Sequence, residues 1–171
     1  KLNQNKKIYF VYAHSPDAYE NVLSTLKSIS TKKIITLFGC GGDRDKSKRA
    51  KMASVAEKFS NFTIVTSDNP RNENLLKINS EIILGFKNKN FKIINNRKNA
   101  IKEAINMMTE NDILVILGKG REKYEIIKNK KYYHSDIEEV LKYSWEYPCQ
   151  IKFSLIICFF HKKIIKIKKI L

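Results

Sequence analysis

Cysteine is scarce in this sequence and shows no pairing pattern. The 171 residues contain three cysteines, an odd number, and no two of them are spaced as C-x-x-C. This argues against a disulfide framework or a zinc site and indicates reduced thiols in a cytoplasmic protein. Long hydrophobic runs are lacking too, since the longest, residues 153–160, is far too short to span a bilayer. No signal peptide is found at the start, and we expect no membrane span.

Acidic residues are few beside the basic ones. Lysine and arginine number 33 against 17 aspartates and glutamates, which gives a formal net charge of +16. Such a charge can indicate a nucleic-acid partner. Residues 150–171, however, hold six lysines and no acid, and the other lysines are scattered among Asn and Ile residues. Because no aromatic RNA-binding signature or basic recognition helix is found, we predict solvated loops and no nucleic acid; nucleic-acid binding is an alternative resting on charge alone.

The two common glycine motifs for nucleotide phosphates are missing. The pattern G-x-x-x-x-G-K-[ST] needs a glycine where Asp45 stands. The dinucleotide pattern G-x-G-x-x-G, started at Gly39, ends on Arg44. A carboxylate within this turn, on Asp43, would also repel a pyrophosphate. The glycine turn is therefore not predicted to bind a nucleotide in either of these ways.

Strand-like and helix-like segments alternate along the chain, which is long enough for one domain with an appendage. The predicted strands are residues 8–12, 33–37, 63–66, 91–94 and 112–117. The predicted helices are residues 16–30, 47–60, 75–82 and 96–108, with a last helix announced by a capping box of Ser135 and Glu138. Residues 124–133 are predicted to be an extended excursion or a hairpin. The pattern predicts an α/β, three-layer Rossmann-like domain, with a mainly parallel sheet of about six strands and helices on both faces.

Polar clusters follow four of the predicted strands. They are His14-Ser15, the glycine turn 38–46, the segment 68–71 and the segment 118–122. The carboxyl ends of parallel strands lie along one edge of a sheet, where α/β proteins bind polar ligands. We therefore predict that the four clusters converge on one site, with the charged glycine turn at its centre.

These clusters resemble the C-terminal domain of the Mur ligases over residues 8–145. The resemblance implies an ATP-dependent acid–amino-acid ligase of peptidoglycan and cell-wall biosynthesis. In that family ATP and Mg²⁺ phosphorylate the D-Glu carboxylate of UDP-MurNAc-L-Ala-D-Glu, and the amine of an incoming amino acid attacks the acyl phosphate. The family's UDP-binding and ATP-binding domains have no counterpart here, so the chain alone is expected to be inactive.

By this resemblance, the incoming amino acid is meso-diaminopimelate. Arg44 and Arg71 would clamp its distal carboxylate, because a guanidinium binds a carboxylate with two parallel hydrogen bonds. Asn69 would add a further hydrogen bond. From the residues alone, Arg44 could instead be held by Asp43 or Asp45, and Arg71 could be a solvated turn residue.

The distal ammonium group would be held by Gly118, through its backbone, and by Glu122. His14 would lie near the nucleotide. Without the family, Glu122 could equally pair with Lys119 or Lys123, and His14 could be structural. No catalytic residue and no metal ligand is assigned within this chain. The complete predicted set for meso-diaminopimelate is Arg44, Asp68, Asn69, Pro70, Arg71, Gly118 and Glu122.

Two departures from the family pattern keep a second hypothesis open. Val11 stands where the family usually has Asp, and Arg121 stands where it usually has His. The chain could therefore be a non-catalytic or degenerate α/β module that binds a small anion or a protein partner. We expect a ligase domain over residues 1–147 and a basic, apolar tail over residues 148–171, which either adds an edge strand or lies outside the folded unit. The protein is expected to be monomeric.

Overall fold

Strands and helices alternate along the chain as the sequence predicts. The computed structural model describes the backbone of residues 6–144, 152–158 and 165–169, and the side chains of residues 6–143. The strands are β1 (Lys7–Tyr12), β2 (Ile34–Phe38), β3 (Phe62–Val65), β4 (Phe91–Ile93), β5 (Ile113–Leu117), β6 (Tyr124–Ile127), β7 (Lys130–Tyr133), β8 (Lys152–Cys158) and β9 (Ile165–Lys169). The helices are α1 (Pro16–Ser28), α2 (Lys48–Phe59), α3 (Leu75–Ile83), α4 (Arg97–Asn106) and α5 (Asp136–Ser144).

The main sheet has the order β4-β3-β2-β5-β1-β8-β9. Strands β1 to β5 pair in parallel, and β2 and β5 are buried along their whole length, as expected for strands covered on both faces. These five strands are slightly fewer than the predicted six, and β8 and β9 bring the sheet to seven. The predicted α/β class and mainly parallel sheet are confirmed.

Two hydrophobic cores cover the two faces of the sheet. Helices α1, α2 and α3 contribute buried side chains to one core, and α4 and α5 contribute to the other. Neighbouring strand residues alternate between the cores: Val11 and Phe38 belong to the first, whereas Phe10 and Leu37 belong to the second. The predicted placement of helices on both faces is confirmed.

The strand order brings the predicted polar clusters to one edge. The chain runs from β1 to β2, leaving between them a place for one strand, and continues outward to β3 and β4. It then returns, and β5 fills the place between β2 and β1. The carboxyl ends of β1, β5, β2 and β3 therefore lie side by side. This reversal of strand order is where open α/β sheets form a ligand crevice.

The predicted hairpin over residues 124–133 is formed by β6 and β7. Its two turn residues, Lys128 and Asn129, have φ of 46° and 60°, as a tight two-residue hairpin turn requires. The hairpin also pairs with the loop after β3. The amide of Arg71 donates to the carbonyl oxygen of Ile126 at 2.9 Å, and the amide of Lys128 donates to the carbonyl oxygen of Arg71 at 2.9 Å.

The predicted caps of α1 and α5 are only partly confirmed. Ser15 caps α1 by accepting from the amide of Ala18 at 3.3 Å. Ser135 likewise accepts from the amide of Glu138 at 3.3 Å, but the reciprocal half of the predicted capping box is wrong. The Glu138 carboxylate instead accepts from Lys123 and from the Tyr133 hydroxyl, because the adjoining hairpin brings both donors within reach.

The end of the chain adds two strands beside β1. Strand β8 pairs in parallel with β1, and β9 pairs antiparallel with β8. The predicted domain boundary between residues 147 and 148 lies outside the described residues and stays a prediction. Within the described part of the chain, no helix has the length and apolar character needed to cross a membrane.

A buried arginine ties the carboxyl ends of two strands together. The Arg97 guanidinium donates to the carbonyl oxygens of Ser67 at 2.9 Å and of Leu117 at 3.1 Å, just after β3 and at the end of β5. Two further bonds of 2.8 Å join it to the carboxylate of Asp136, and both side chains are 1% exposed. Burial alone would raise the pKa of Asp136, but the charge and hydrogen bonds of Arg97 outweigh burial and hold that pKa below its usual value.

We predict that Asp136→Asn destabilises the fold by about 3–5 kcal/mol, because it leaves the buried Arg97 cation without a carboxylate. The measurement is the free energy of unfolding in urea. Glu20→Gln is the control, since it breaks an exposed pair with Lys58 and should cost less than about 1 kcal/mol. Equal losses in the two variants would contradict this account of the buried pair.

Candidate functional site

A cavity of about 220 Å³ opens at the carboxyl edge of the sheet. Six residues predicted to bind ligand line it: His14, Arg44, Asp68, Asn69, Arg71 and Glu122. They come from the loops after β1, β2, β3 and β5. The expected convergence of the four polar clusters is therefore observed.

Glycines allow the loops after β2 and β3 to touch. The amide of Gly42 donates to the carbonyl oxygen of Asn69 at 2.9 Å. A Cβ added at Gly42 would lie 1.9 Å from the carbonyl oxygen of Pro70, and one at Gly41 would lie 2.8 Å from Nη1 of Arg71. The glycines of this turn are needed because side chains there would separate the two loops.

Arg71 is half-buried at the cavity wall and is held by backbone oxygens. Its Nη1 donates to the carbonyl oxygen of Gly42 at 2.8 Å and to that of Asn69 at 3.3 Å. Its φ of 50° is unusual for a side-chain-bearing residue, and the backbone bonds to the hairpin hold it there. Among the described residues, no carboxylate pairs with this guanidinium. It is not the freely solvated turn residue of the alternative interpretation.

Arg44 lies at the mouth of the cavity, and its charge is also unpaired within residues 6–143. It is exposed, and its Nη1 donates to the carbonyl oxygen of Asp43 at 3.4 Å. The carboxylates that could have held it are engaged elsewhere: Asp43 accepts from Asn72, and Asp45 accepts from Ser47. The alternative in which a neighbouring aspartate holds Arg44 is not observed.

Glu122 supplies negative charge to the cavity. Its carboxylate accepts a long bond of 3.4 Å from Nδ2 of Asn69 and pairs with no cation of the described residues. The two lysines considered as partners are committed elsewhere. Lys119 bonds to Asn69 and to the backbone of Tyr124, and Lys123 pairs with Glu138. The cavity thus presents two unpaired guanidinium groups and one unpaired carboxylate.

Asp68 and His14 also line the cavity. Asp68 is 1% exposed, and its Oδ1 makes no hydrogen bond although Nζ of Lys119 lies 3.4 Å away. The ring of His14 stands edge-on to Tyr12, with 4.6 Å between centroids. Burial lowers the pKa of His14, and the nearby charges of Asp68 and Glu122 only partly oppose this. His14 is therefore neutral at pH 7 and can accept or donate a hydrogen bond.

Two predicted ligand residues do not line the cavity. Gly118 has φ of 110°, and its amide donates to the carbonyl oxygen of Val11 at 3.0 Å, so its amide is not available to a ligand. Pro70 lines a second cavity of about 520 Å³ on the other side of the same loop. The Pro70 carbonyl accepts from the amide of Glu73 at 3.0 Å, which shapes the turn that presents Arg71.

The inner wall of the cavity is apolar where Cys40 and Met52 meet. Their sulfur atoms are 3.9 Å apart, and both side chains are buried. Burial raises the pKa of the Cys40 thiol to about 12, so the thiol stays protonated and unreactive near neutral pH. This wall suits the methylene chain of a ligand whose charges lie at its ends.

The sequence prediction missed Arg49, which braces the two loops from below. Its guanidinium is 1% exposed and donates to the carbonyl oxygen of Gly41 at 3.1 Å, to Glu73 at 3.0 Å and to Glu81 at 2.7 Å. Its position was the available signal: it stands three residues before Met52 on the buried stripe of α2, where a solvated charge does not belong. Lys48, which also lines the cavity, was missed as well.

Metal ligands are not grouped in the described residues. No cluster of three or more His, Cys, Asp or Glu side chains is arranged there to hold an ion.

Comparison with known proteins agrees with this fold. The family model "Mur ligase, glutamate ligase domain" matches residues 1–120. The chain belongs to the Mur ligase family, in its glutamate ligase domain.

Relatives with high identity share one name. A protein of Buchnera aphidicola subsp. Baizongia pistaciae is 53% identical over 138 residues, which are 80% of this chain and 27% of the relative. One of Aquifex aeolicus is 50% identical over 130 residues, which are 75% of this chain and 27% of that relative. Both are named UDP-N-acetylmuramoyl-L-alanyl-D-glutamate–2,6-diaminopimelate ligase.

A solved structure of a ligase with this name superimposes with a TM-score of 0.73 and 39% sequence identity. The match covers 78% of this chain and 28% of that protein. The chain therefore spans somewhat more than a quarter of the length of the proteins that it matches.

We predict that the bond between Glu73 and Arg49 makes the free energy of unfolding depend on pH in the acid range. Hydrogen bonding to Arg49 lowers the pKa of Glu73 from 4.5 to about 2. Because the folded pKa is depressed, this contribution is complete above the unfolded value and is lost as the pH falls from 4.5 towards about 2. Urea unfolding of the wild type and of Glu73→Gln should differ by roughly 1.5–3 kcal/mol at neutral pH, and the difference should shrink over that range.

Glu110→Gln provides the control, because this glutamate is exposed. Its difference from the wild type should be small. A Glu73→Gln difference that stayed constant down to pH 2 would contradict the assignment.

Proposed function

We propose that this chain is the amino-acid-binding domain of an ATP-dependent ligase that adds meso-diaminopimelate to UDP-MurNAc-L-Ala-D-Glu in peptidoglycan synthesis. One observation carries the proposal: a single cavity holds two unpaired guanidinium groups and one unpaired carboxylate from different loops. A ligand that satisfies all three needs an anionic and a cationic group on one short body. The names of the relatives support the same substrate.

The distal end of meso-diaminopimelate fits these charges. Its carboxylate would bind Arg44 and Arg71, and the Nδ2 group of Asn69 would donate to it. Its ammonium group would bind Glu122 and the carbonyl oxygen of Gly118. Arg44 is exposed and loosely held, so it can close over the carboxylate after Arg71, which is already fixed, has bound it.

Asp68 gives the cavity a second carboxylate beside the bound amino acid. Asp68 lines the cavity, so its negative charge attracts a ligand ammonium group. The methylene chain would lie against Cys40 and Met52, so the whole length of the ligand finds matching surface.

ATP and Mg²⁺ are proposed as the cofactors of the whole enzyme, since the family couples amide formation to ATP. When bound, they would supply the phosphoryl group that activates the D-Glu carboxylate. From this chain, His14 is the proposed contact to the nucleotide: it is neutral, half-buried and next to the amino-acid cavity. We further propose a cytoplasmic, monomeric protein, consistent with the free thiol of Cys40.

The two departures from the family pattern leave the cavity intact. Val11 is fully buried in the first core, and it is not a lining residue. Arg121 is exposed and does not line the cavity either. Neither substitution removes a charge from the proposed binding groups, which favours the ligase over a degenerate module.

A chimera tests the proposal. The matched segment of the Buchnera relative is replaced by this chain, and ligation is measured with meso-diaminopimelate or L-lysine as the amine. We expect product with meso-diaminopimelate and little with lysine, which has no second carboxylate. A chimera that folds and binds UDP-MurNAc-dipeptide but ligates neither amine would refute the proposal and favour the non-catalytic module.

We predict that Arg71→Ala in this chimera raises the KM for meso-diaminopimelate by about ten- to a hundredfold. The reason is the loss of a charged hydrogen-bonding partner, worth about 1.5–3 kcal/mol. Lys98→Ala is the charge-matched control, since Lys98 is exposed on α4. An unchanged KM in Arg71→Ala would show that this arginine does not bind the distal carboxylate.

A further inference from the structure

We propose that Lys119 is a positioning residue that fixes the orientation of the Asn69 carboxamide and so makes the cavity prefer a carboxylate to an ammonium group at that point. This inference rests on the proposed function for the identity of the ligand. Lys119 itself is 0% exposed and does not line the cavity, so it acts through its neighbours.

Two donors, one from the loop after β5 and one from β6, hold the side-chain oxygen of Asn69. Nζ of Lys119 donates to Oδ1 of Asn69 at 3.0 Å, and the amide of Ile126 donates to the same atom at 2.9 Å. Lys119 is fixed in turn, because it also donates to the carbonyl oxygen of Tyr124 at 2.8 Å. The amide nitrogen of Asn69 must therefore point away from these donors, towards the cavity and Glu122.

A flipped carboxamide would be unfavourable on both sides. Its nitrogen would face two N–H donors, from Lys119 and Ile126. The Ile126 amide would lose its acceptor, and Lys119 would keep its bond to the carbonyl oxygen of Tyr124 but lose the one to Asn69. The oxygen of the flipped carboxamide would face the carboxylate of Glu122, which offers no proton. Lys119 thus fixes the orientation of Asn69 before any ligand binds.

The orientation decides what the cavity recognises. With the nitrogen turned inward, Asn69 presents N–H donors beside the guanidinium of Arg71, and together they can bind ligand oxygens. With the oxygen turned inward, the same residue would add an acceptor to the two carboxylates already present, Asp68 and Glu122. That arrangement would suit a ligand with an ammonium end and no second carboxylate.

Lys119 has a second effect that the experiment must separate. Its Nζ lies 3.4 Å from Oδ1 of Asp68, so removing the lysine also leaves that carboxylate without its nearest cation. Both effects weaken carboxylate binding. Only the orientation effect requires the side chain of Asn69, so a double-mutant cycle between the two positions distinguishes them.

The test titrates the full chain with meso-diaminopimelate and with L-lysine, followed by NMR, and takes the ratio of the two Kd values. We expect Lys119→Met to reduce the preference for meso-diaminopimelate by about tenfold, which corresponds to about 1.4 kcal/mol. In an Asn69→Ala background, Lys119→Met should leave the ratio unchanged. If the full reduction persists without Asn69, the effect runs through Asp68 and the proposal is overturned.

Lys123→Met is the matched control, because it makes the same substitution at an exposed lysine that pairs with Glu138. The ratio of Kd values should match the wild type. If Lys119→Met does not fold, Lys119→Leu serves as the second variant, since it also removes the donor to Asn69. Failure of both variants to fold would assign Lys119 a purely structural role and overturn the proposal.

A second readout does not depend on the ligand. In the free wild type, the side-chain amide protons of Asn69 should give nuclear Overhauser contacts to the methylene protons of Glu122, and Lys119→Met should weaken them. A wild type that binds both amino acids equally, with these contacts present, would refute the proposed function but leave the orientation intact. Contacts that are unchanged in Lys119→Met would overturn the role of Lys119.

Discussion

The carboxyl edge of this sheet depends on the hydrogen bonds of the Arg97 guanidinium. Parallel strands end in carbonyl groups that need hydrogen-bond donors once loops cover them. Arg97 donates to the carbonyls of Ser67 and Leu117, and Asp136 balances its charge from the other side. Because Ser67 and Leu117 directly precede Asp68 and Gly118, one buried cation fixes where two of the site loops leave the sheet.

The same residue type has opposite uses at this edge of the sheet. Arg49 and Arg97 are buried, and carboxylates and backbone oxygens engage them from several sides, so they stabilise the loops but offer little to a ligand. Arg44 and Arg71 touch only backbone oxygens and keep their charge for the cavity. Number and sign of charges therefore say little about a binding site; what matters is which charges the fold leaves without a partner.

Most of the fold could be predicted because local pattern and final structure agree. The five parallel strands, the five helices and the hairpin lie close to their predicted positions, and the polar strand ends meet because parallel strands share one direction. The misses have a common physical cause. The partners of Arg49 and Glu138 come from other elements: Glu73 and Glu81 lie beyond β3, and Lys123 and Tyr133 come from the hairpin and the residue before it. Neither periodicity nor capping statistics reports which elements will meet. The orientation of Asn69 could not be predicted for the same reason, since Lys119 supplies its fixing donor from another loop.

The pairing of the hairpin with the β3 loop has a consequence for how such a domain can change in evolution. Ile126 lies 57 positions beyond Asn69, yet its backbone holds the Asn69 side chain, and the neighbouring bonds make Arg71 in effect one more strand of the hairpin. The shape of the loop after β3 is thus set by a distant piece of chain. Sequence drift in that piece can reshape the cavity while every residue that lines it stays the same.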